Sequence, residues 1–250
     1  MATTPIRTMP TTTERAASPA TQAPDTAAAA SALPLLRLLW LSSPALPIGA
    51  YAYSRGLEQA AARGWVHDEA SLERWLSGVL RRQLATLDAP VMLRVKRAAS
   101  RQDVGGIASW NEFLLAHRES RECALEDTQL GASLARLLRE LAGAVAGLLP
   151  ERPAHATVFG VAAAHYAIAE QAALGAYLFS FAENQITAAL KCLSLGQTAG
   201  QRLLSGLVEC LGVLAQEAWE RSDAELGSFA PGLALASALH ETQYTRLFRS

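Results

Sequence analysis

Three short stretches carry residue types that could do chemistry, and each lacks something its chemistry needs. Ala52-Tyr53-Ser54-Arg55-Gly56 comes within one residue of the GxSxG nucleophile elbow. That motif works because a strand-to-helix turn strains the serine outward above a parallel sheet. No strand is predicted before Ser54, so a catalytic serine is not expected. His240-Glu241 opens like HExxH, but position 244 is Tyr, so no second ligand stands one turn on. Gly196 to Arg202 resembles a phosphate loop only loosely. Its glycines are four apart, and Gln201-Arg202 replaces the Lys-Ser/Thr pair that reaches phosphate and magnesium. The chain is not expected to hydrolyse GTP by itself.

The five histidines, His67, His117, His155, His165 and His240, are too widely spaced for two to ligate a metal from one helix face. Cys123, Cys192 and Cys210 make no CxxC pair and no disulfide framework, which fits a reducing compartment. No enzyme class emerges. The remaining enzymatic alternative is a helical metalloenzyme whose ligands converge only in the fold.

Bulk properties narrow the field further. Half of the 250 residues are hydrophobic and 18% are charged, enough to bury a large core. A formal charge of −1 offers no basic face for nucleic acid. No secretory signal begins the sequence, and the most apolar window, Ala162 to Ala182, is interrupted by His165, Glu170 and Gln171. That window reads as a buried helix, not a membrane span. The expectation is a soluble cytoplasmic protein.

The elements that must position any site read as helices. Residues 1–31 are rich in Thr, Ala and Pro without periodicity, so they are expected to be disordered. From Asp68, a good N-cap, apolar positions run Leu72, Trp75, Leu76, Val79, Leu80, Leu84 and Leu87 in steps of three and four. Asp88 before Pro90 reads as a fresh helix start. Leu130, Leu134, Leu137, Leu138 and Leu141 form another stripe, and Leu203 to Leu214 a third. With no sustained alternation of β-branched residues, the expected fold is all-α. It is one bundle-like domain over 32–250 with roughly eight to ten helices.

Three segments exceed what core packing requires. Ser42 to Glu58 holds Pro44, Pro47 and Gly49 and presents Tyr51 and Tyr53, which suit an interface or could cover the core. Leu193 to Arg202 carries Gly196 and Gly200, which permit close helix approach across a dimer or within one chain. The sequence closes on His240-Glu-Thr-Gln-Tyr-Thr-Arg-Leu-Phe-Arg-Ser250, where Arg246 and Arg249 bracket Leu247 and Phe248. A large aromatic between two guanidiniums suits an anchor filling a pocket on another protein. The alternative is a tail folded back on its own domain.

These segments resemble the UreF family of urease accessory proteins, at Ser43 to Gly49, Gly56-Leu57-Glu58, Gln129-Leu130-Gly131, Leu195 to Thr198, Gly200 to Arg202 and His240 to Ser250. The resemblance spans about residues 33–250. It departs at Ser194 and Ala199, where the family often has proline and aspartate. It implies an all-helical, non-enzymatic, dimeric chaperone for nickel insertion. Such a protein joins UreD (UreH) and recruits the GTPase UreG in delivering nickel to apo-urease. It further implies partner contacts at Tyr51, Tyr53, Ser54, Glu58, Tyr244, Arg246, Leu247, Phe248, Arg249 and Ser250. Gly196, Gln197, Gly200 and Arg202 are expected at a dimer or helix-packing contact. No stably bound cofactor, membrane or nucleic acid is expected; nickel would pass through only transiently.

Overall fold

The computed structural model describes Met1 and residues 26–250, with side chains from residue 32 onward. Most of the segment expected to be disordered, residues 2–25, lies outside the described residues. Ten α-helices follow in chain order: α1 (Thr26–Leu41), α2 (Leu57–Ala62), α3 (Glu69–Val79), α4 (Ala89–Ser100), α5 (Val104–Ala116), α6 (Arg121–Leu141), α7 (His155–His165), α8 (Glu170–Cys192), α9 (Gln197–Glu220) and α10 (Pro231–His240). No strand occurs among the described residues. The fold is all-α, and no described helix is long and apolar enough to cross a membrane.

α1 starts at Thr26, ahead of residue 32, where the domain was expected to begin. Residues 27–30 are four alanines, the strongest helix former, and a reading based on core-forming residues undervalues them. α3 starts as expected. The Asp68 carboxylate accepts the Ser71 N–H at 2.8 Å, and Ser71 Oγ accepts the Asp68 N–H at 3.0 Å. Together they form a capping box.

Asp88 does not start a helix. Its backbone is helical (φ −63°, ψ −52°), and α3 runs through a π-helical stretch, Leu80–Asp88, directly into α4. Proline at position 90 has no N–H for the Thr86 carbonyl. Gly227 supplies one instead at 3.2 Å, and Phe229 donates to Arg82 O at 3.0 Å. The 227–229 loop thus satisfies carbonyls on this stretch of helix. That leaves the Asp88 side chain free to point inward.

The window Ala162 to Ala182 is two helices, not one. α7 closes at His165 in a turn where Ala167 adopts φ 53° and Ile168 N–H bonds Ala163 O at 2.9 Å. This is the usual hydrogen bond of a left-handed helix end, made with alanine where glycine is common. No breaker residue marks it.

α4 packs on α5 and α7, α6 on α7, and α8 on α9. Gly131 explains part of the Gln-Leu-Gly run, because a Cβ there would sit 2.1 Å from Pro153 O. α6 therefore lies directly on the segment leading into α7. The loop 42–56, α2, α6, α8 and α10 surround the chain's last residues.

Candidate functional site

Two groups of buried charge lie along α2 and α6. In the first, Arg118 forks between two acids. Its Nη2 bonds Asp88 Oδ1 at 2.6 Å and Asp127 Oδ2 at 2.8 Å. Arg55 enters the same group, with Nε on Glu126 at 3.0 Å. It is turned inward by two successive left-handed residues, Arg55 (φ 48°) and Gly56 (φ 76°). A Cβ on residue 56 would approach Ser237 N at 3.0 Å, so glycine is required both by the turn and by α10.

Electrostatics in this group are mutually compensating. Burial would raise the Asp127 carboxyl, but Arg118 and Arg55 hold it below its ordinary value. Burial would likewise lower both guanidiniums, and the acids beside them raise them instead: Glu126 chiefly for Arg55, Asp127 and Asp88 for Arg118. His155, whose backbone N–H bonds Asp127 at 3.0 Å, has its imidazole pushed down to about 4 by burial and is neutral at pH 7. Burial likewise raises the Tyr177 phenol well above its usual value. Arg55, Glu126, His155 and Tyr177 line a cavity of about 200 Å³ under the 41–51 loop.

The second group is closed by the chain's end. Glu58 on α2 accepts the Leu247 N–H at 2.7 Å and the Phe248 N–H at 2.9 Å. His240 stands between Glu122 (Nδ1, 2.6 Å) and Glu58 (Nε2, 3.2 Å) with no solvent exposure. Arg246 Nη1 bonds Glu122 at 2.7 Å. Ser250 Oγ bonds Glu126 at 2.5 Å, while Ser250 O receives both Ser54 N–H (3.0 Å) and Ser54 Oγ (2.5 Å). The Arg249 N–H bonds Ala52 O at 2.9 Å.

The tail therefore has two faces. Arg246, Phe248 and Ser250 direct polar groups or bulk inward, and the Phe248 residue is only 4% exposed. Leu247 is 61% exposed, and Tyr244 and Arg249 also face outward. Phe248, expected as an anchor for another protein, occupies this chain's own core. Its ring lies 5.4 Å from Lys191 Nζ, which also stands 5.9 Å from the Tyr51 ring. Hydrophobic burial and the acidic floor draw Phe248 inward, so the tail folds back on its own domain. Ser54, Glu58, Arg246 and Ser250 serve the same docking. Tyr53 is buried too, with its hydroxyl on Gln129 Oε1, whereas Tyr51 is 69% exposed.

The glycine segment separates likewise. Gly200 is buried, and a Cβ there would lie 3.2 Å from Ile186 and 3.3 Å from Leu190, so its small size serves α8–α9 packing within one chain. Arg202 forks onto Glu69 at 2.9 and 2.7 Å. Gly196 and Gln197 remain exposed at the start of α9.

Sequence reasoning missed Asp88, Arg118, Glu122, Glu126 and Asp127. A signal existed for the acids. The leucine stripe of α6, continued back in steps of three and four from Leu130, lands on Asp127, Glu126 and Glu122. Acids on an apolar stripe imply buried partners.

Comparison with known proteins identifies the family. The family model described as UreF matches residues 66–208. A urease accessory protein UreF from Chromohalobacter salexigens is 48% identical over 219 residues, covering 87% of this chain and 95% of that one. One from Azoarcus sp. is 47% identical over 226 residues, 87% of this chain and 96% of its own length. The chain belongs to the UreF family. Its relatives are named as accessory proteins, and this chain is an accessory protein of the urease system, not an enzyme. The UreF-like segments, distant in sequence, meet in space: loop 42–58, Gln129 on α6, and the tail interlock through Tyr53, Ser54 and Glu58. The end of α8, just before the 193–202 segment, joins them through Lys191. Where the family often has proline and aspartate, Ser194 is exposed in the loop and Ala199 lies in the first turn of α9, which has no acid there. Among the described residues, no group of three or more His, Cys, Asp or Glu is arranged to hold a metal ion.

Proposed function

We propose that this chain bridges UreD (UreH) and the GTPase UreG during GTP-dependent assembly of the nickel centre of apo-urease. It acts as a cytoplasmic homodimer that binds no cofactor stably, and nickel is transient cargo. One observation carries the reading. The UreF-like segments interlock on one face that leaves Tyr51, Tyr244, Leu247 and Arg249 outward, with large side chains unspent on the chain's own packing. Tyrosine and arginine side chains at the centre of a patch are among those that dominate protein–protein affinity. The dimer is supported by α1, where Leu33, Leu35, Leu36 and Leu39 are all exposed.

The test is co-purification of the full-length chain with UreD, then with UreG, and urease activation in their presence. Deleting residues 240–250 should abolish both. Retention of UreD by the truncated chain, with normal activation, would refute the role of this face.

A further inference from the structure

Arg55 is 4% exposed, and its enclosed Nη1 has no hydrogen-bond partner among the described residues. Asp88 Oδ1 stands 3.9 Å from it, beyond hydrogen-bond reach. A buried donor without an acceptor is costly, and more so on a charged group. Two other arginines show what Arg55 lacks. Arg97 on Glu170 and Arg202 on Glu69 each close a fork through Nε and Nη2, at 2.9 and 2.7 Å in both pairs. Arg55 bonds Glu126 through Nε alone, at 3.0 Å, because Ser250 Oγ holds the other carboxylate oxygen at 2.5 Å. The far edge of the guanidinium is left to the cavity under the 41–51 loop, where the Phe181 ring lies 5.3 Å from its carbon.

That cavity has the composition of a small-molecule site, an apolar space with a few convergent polar groups. Leu41, Leu46, Ile48, Leu130 and Phe159 supply the apolar wall. Ser42 Oγ, on the same wall, is a second enclosed polar atom without a partner among the described residues. The volume of about 200 Å³ has room for about six non-hydrogen atoms, at the roughly 30 Å³ a water molecule takes in the liquid.

Charge selects the ligand. Two guanidiniums, Arg55 and Arg118, already face three carboxylates, Asp88, Asp127 and Glu126. An anion would add a further negative group beside Glu183, whose carboxyl on the same wall is already raised by burial. A cation would meet Arg55 and leave its N–H without an acceptor. A neutral group with an acceptor oxygen fits both conditions.

We propose that this cavity binds a small neutral carboxamide carried on a compact aliphatic body. The carbonyl oxygen accepts from Arg55 Nη1, the amide N–H donates to Ser42 Oγ, and the hydrocarbon packs on Leu46, Ile48 and Phe159. The site stands whether or not the outer face of the tail binds UreD.

The experiment titrates the full-length chain with isobutyramide and, in parallel, with isobutyrate, its anionic isostere, following the Ile48 and Leu130 methyl resonances by NMR. Isobutyramide should give saturable shifts with a dissociation constant on the order of 1 mM. Isobutyrate should bind at least about tenfold more weakly. Arg55→Lys keeps the charge but loses the planar fork, and should weaken the amide about tenfold. Ser180→Phe, on the α8 wall of the cavity, should fill the space and abolish binding without touching the Arg55–Glu126 pair. Thermal melts check that each variant folds, and if Arg55→Lys does not, Ser180→Phe and the isostere pair still decide. The absence of saturable shifts with isobutyramide would overturn the site. So would isobutyrate binding as tightly, or undiminished binding in either folded variant.

Discussion

The two buried charge groups differ in who completes them. Around Arg118 the charged groups come from the helical body and the loop beside it, Asp88 at the end of the π-helical stretch, Asp127 on α6 and Arg55 just before α2, and the tail touches this group only at its edge, where Ser250 Oγ bonds Glu126. Around His240 the body supplies Glu58 and Glu122, but the donors that quench them come from the tail: Arg246, Gln243 and two backbone amides. The first group can be broken only by unfolding the domain. The second can open locally, because a short strap can leave while the helices stay packed. One group fixes the fold, and the other holds a surface in place.

Substitutions in the two groups should therefore behave differently. Arg118→Met should have the largest effect. It strands Asp88 and Asp127, both without solvent access, and removing one partner of such a buried pair costs about 3–5 kcal/mol. Chemical denaturation should show the loss as global, in every probe at once. Phe248→Ala removes a buried aromatic, and about 3 kcal/mol is expected, but only in docking of the tail. Hydrogen exchange at the Leu247 and Phe248 amides should accelerate while the helices keep their protection. Equal acceleration throughout would erase the contrast between the groups.

A further effect concerns acid. His155 is held near 4 in the fold, against about 6.5 for a free histidine. The folded chain thus binds fewer protons than the unfolded chain between these values. Stability is complete above about 6.5 and declines at about 1.4 kcal/mol per pH unit as pH falls toward 4. His155→Phe should flatten that slope in urea melts, and an unchanged slope would assign it elsewhere. The smallest effect on stability belongs to the outward residues. Tyr244→Ala and Arg249→Ala should each change stability by no more than about 0.5 kcal/mol.

Helical periodicity made most of the fold legible in the sequence. The capped start at Asp68 and the stripes of α3, α6 and α9 lie where spacing put them. Asp88 was misread because Asp before Pro is a common helix start, whereas here a π turn and the 227–229 carbonyl partners carry the helix past it. The break after His165 was invisible because an alanine closes it. The tail was half legible. Its residue types pointed to binding, but which side chains turn inward depends on its floor. An acidic floor built from Glu58, Glu122 and Glu126 draws in Arg246 and Ser250 together with Phe248, and leaves Leu247 outside. Those acids come from α2 and α6, more than a hundred positions away, and no local pattern in the tail encodes them.

The division of the tail into an inner docking face and an outer binding face is tested most directly by one variant, Tyr244→Ala/Leu247→Ala/Arg249→Ala, measured for UreD affinity beside its thermal melt. The account predicts an unchanged melting temperature with affinity reduced about thirtyfold or more, the loss of a hot spot worth about 2 kcal/mol. Wild-type affinity in that stable variant would contradict it.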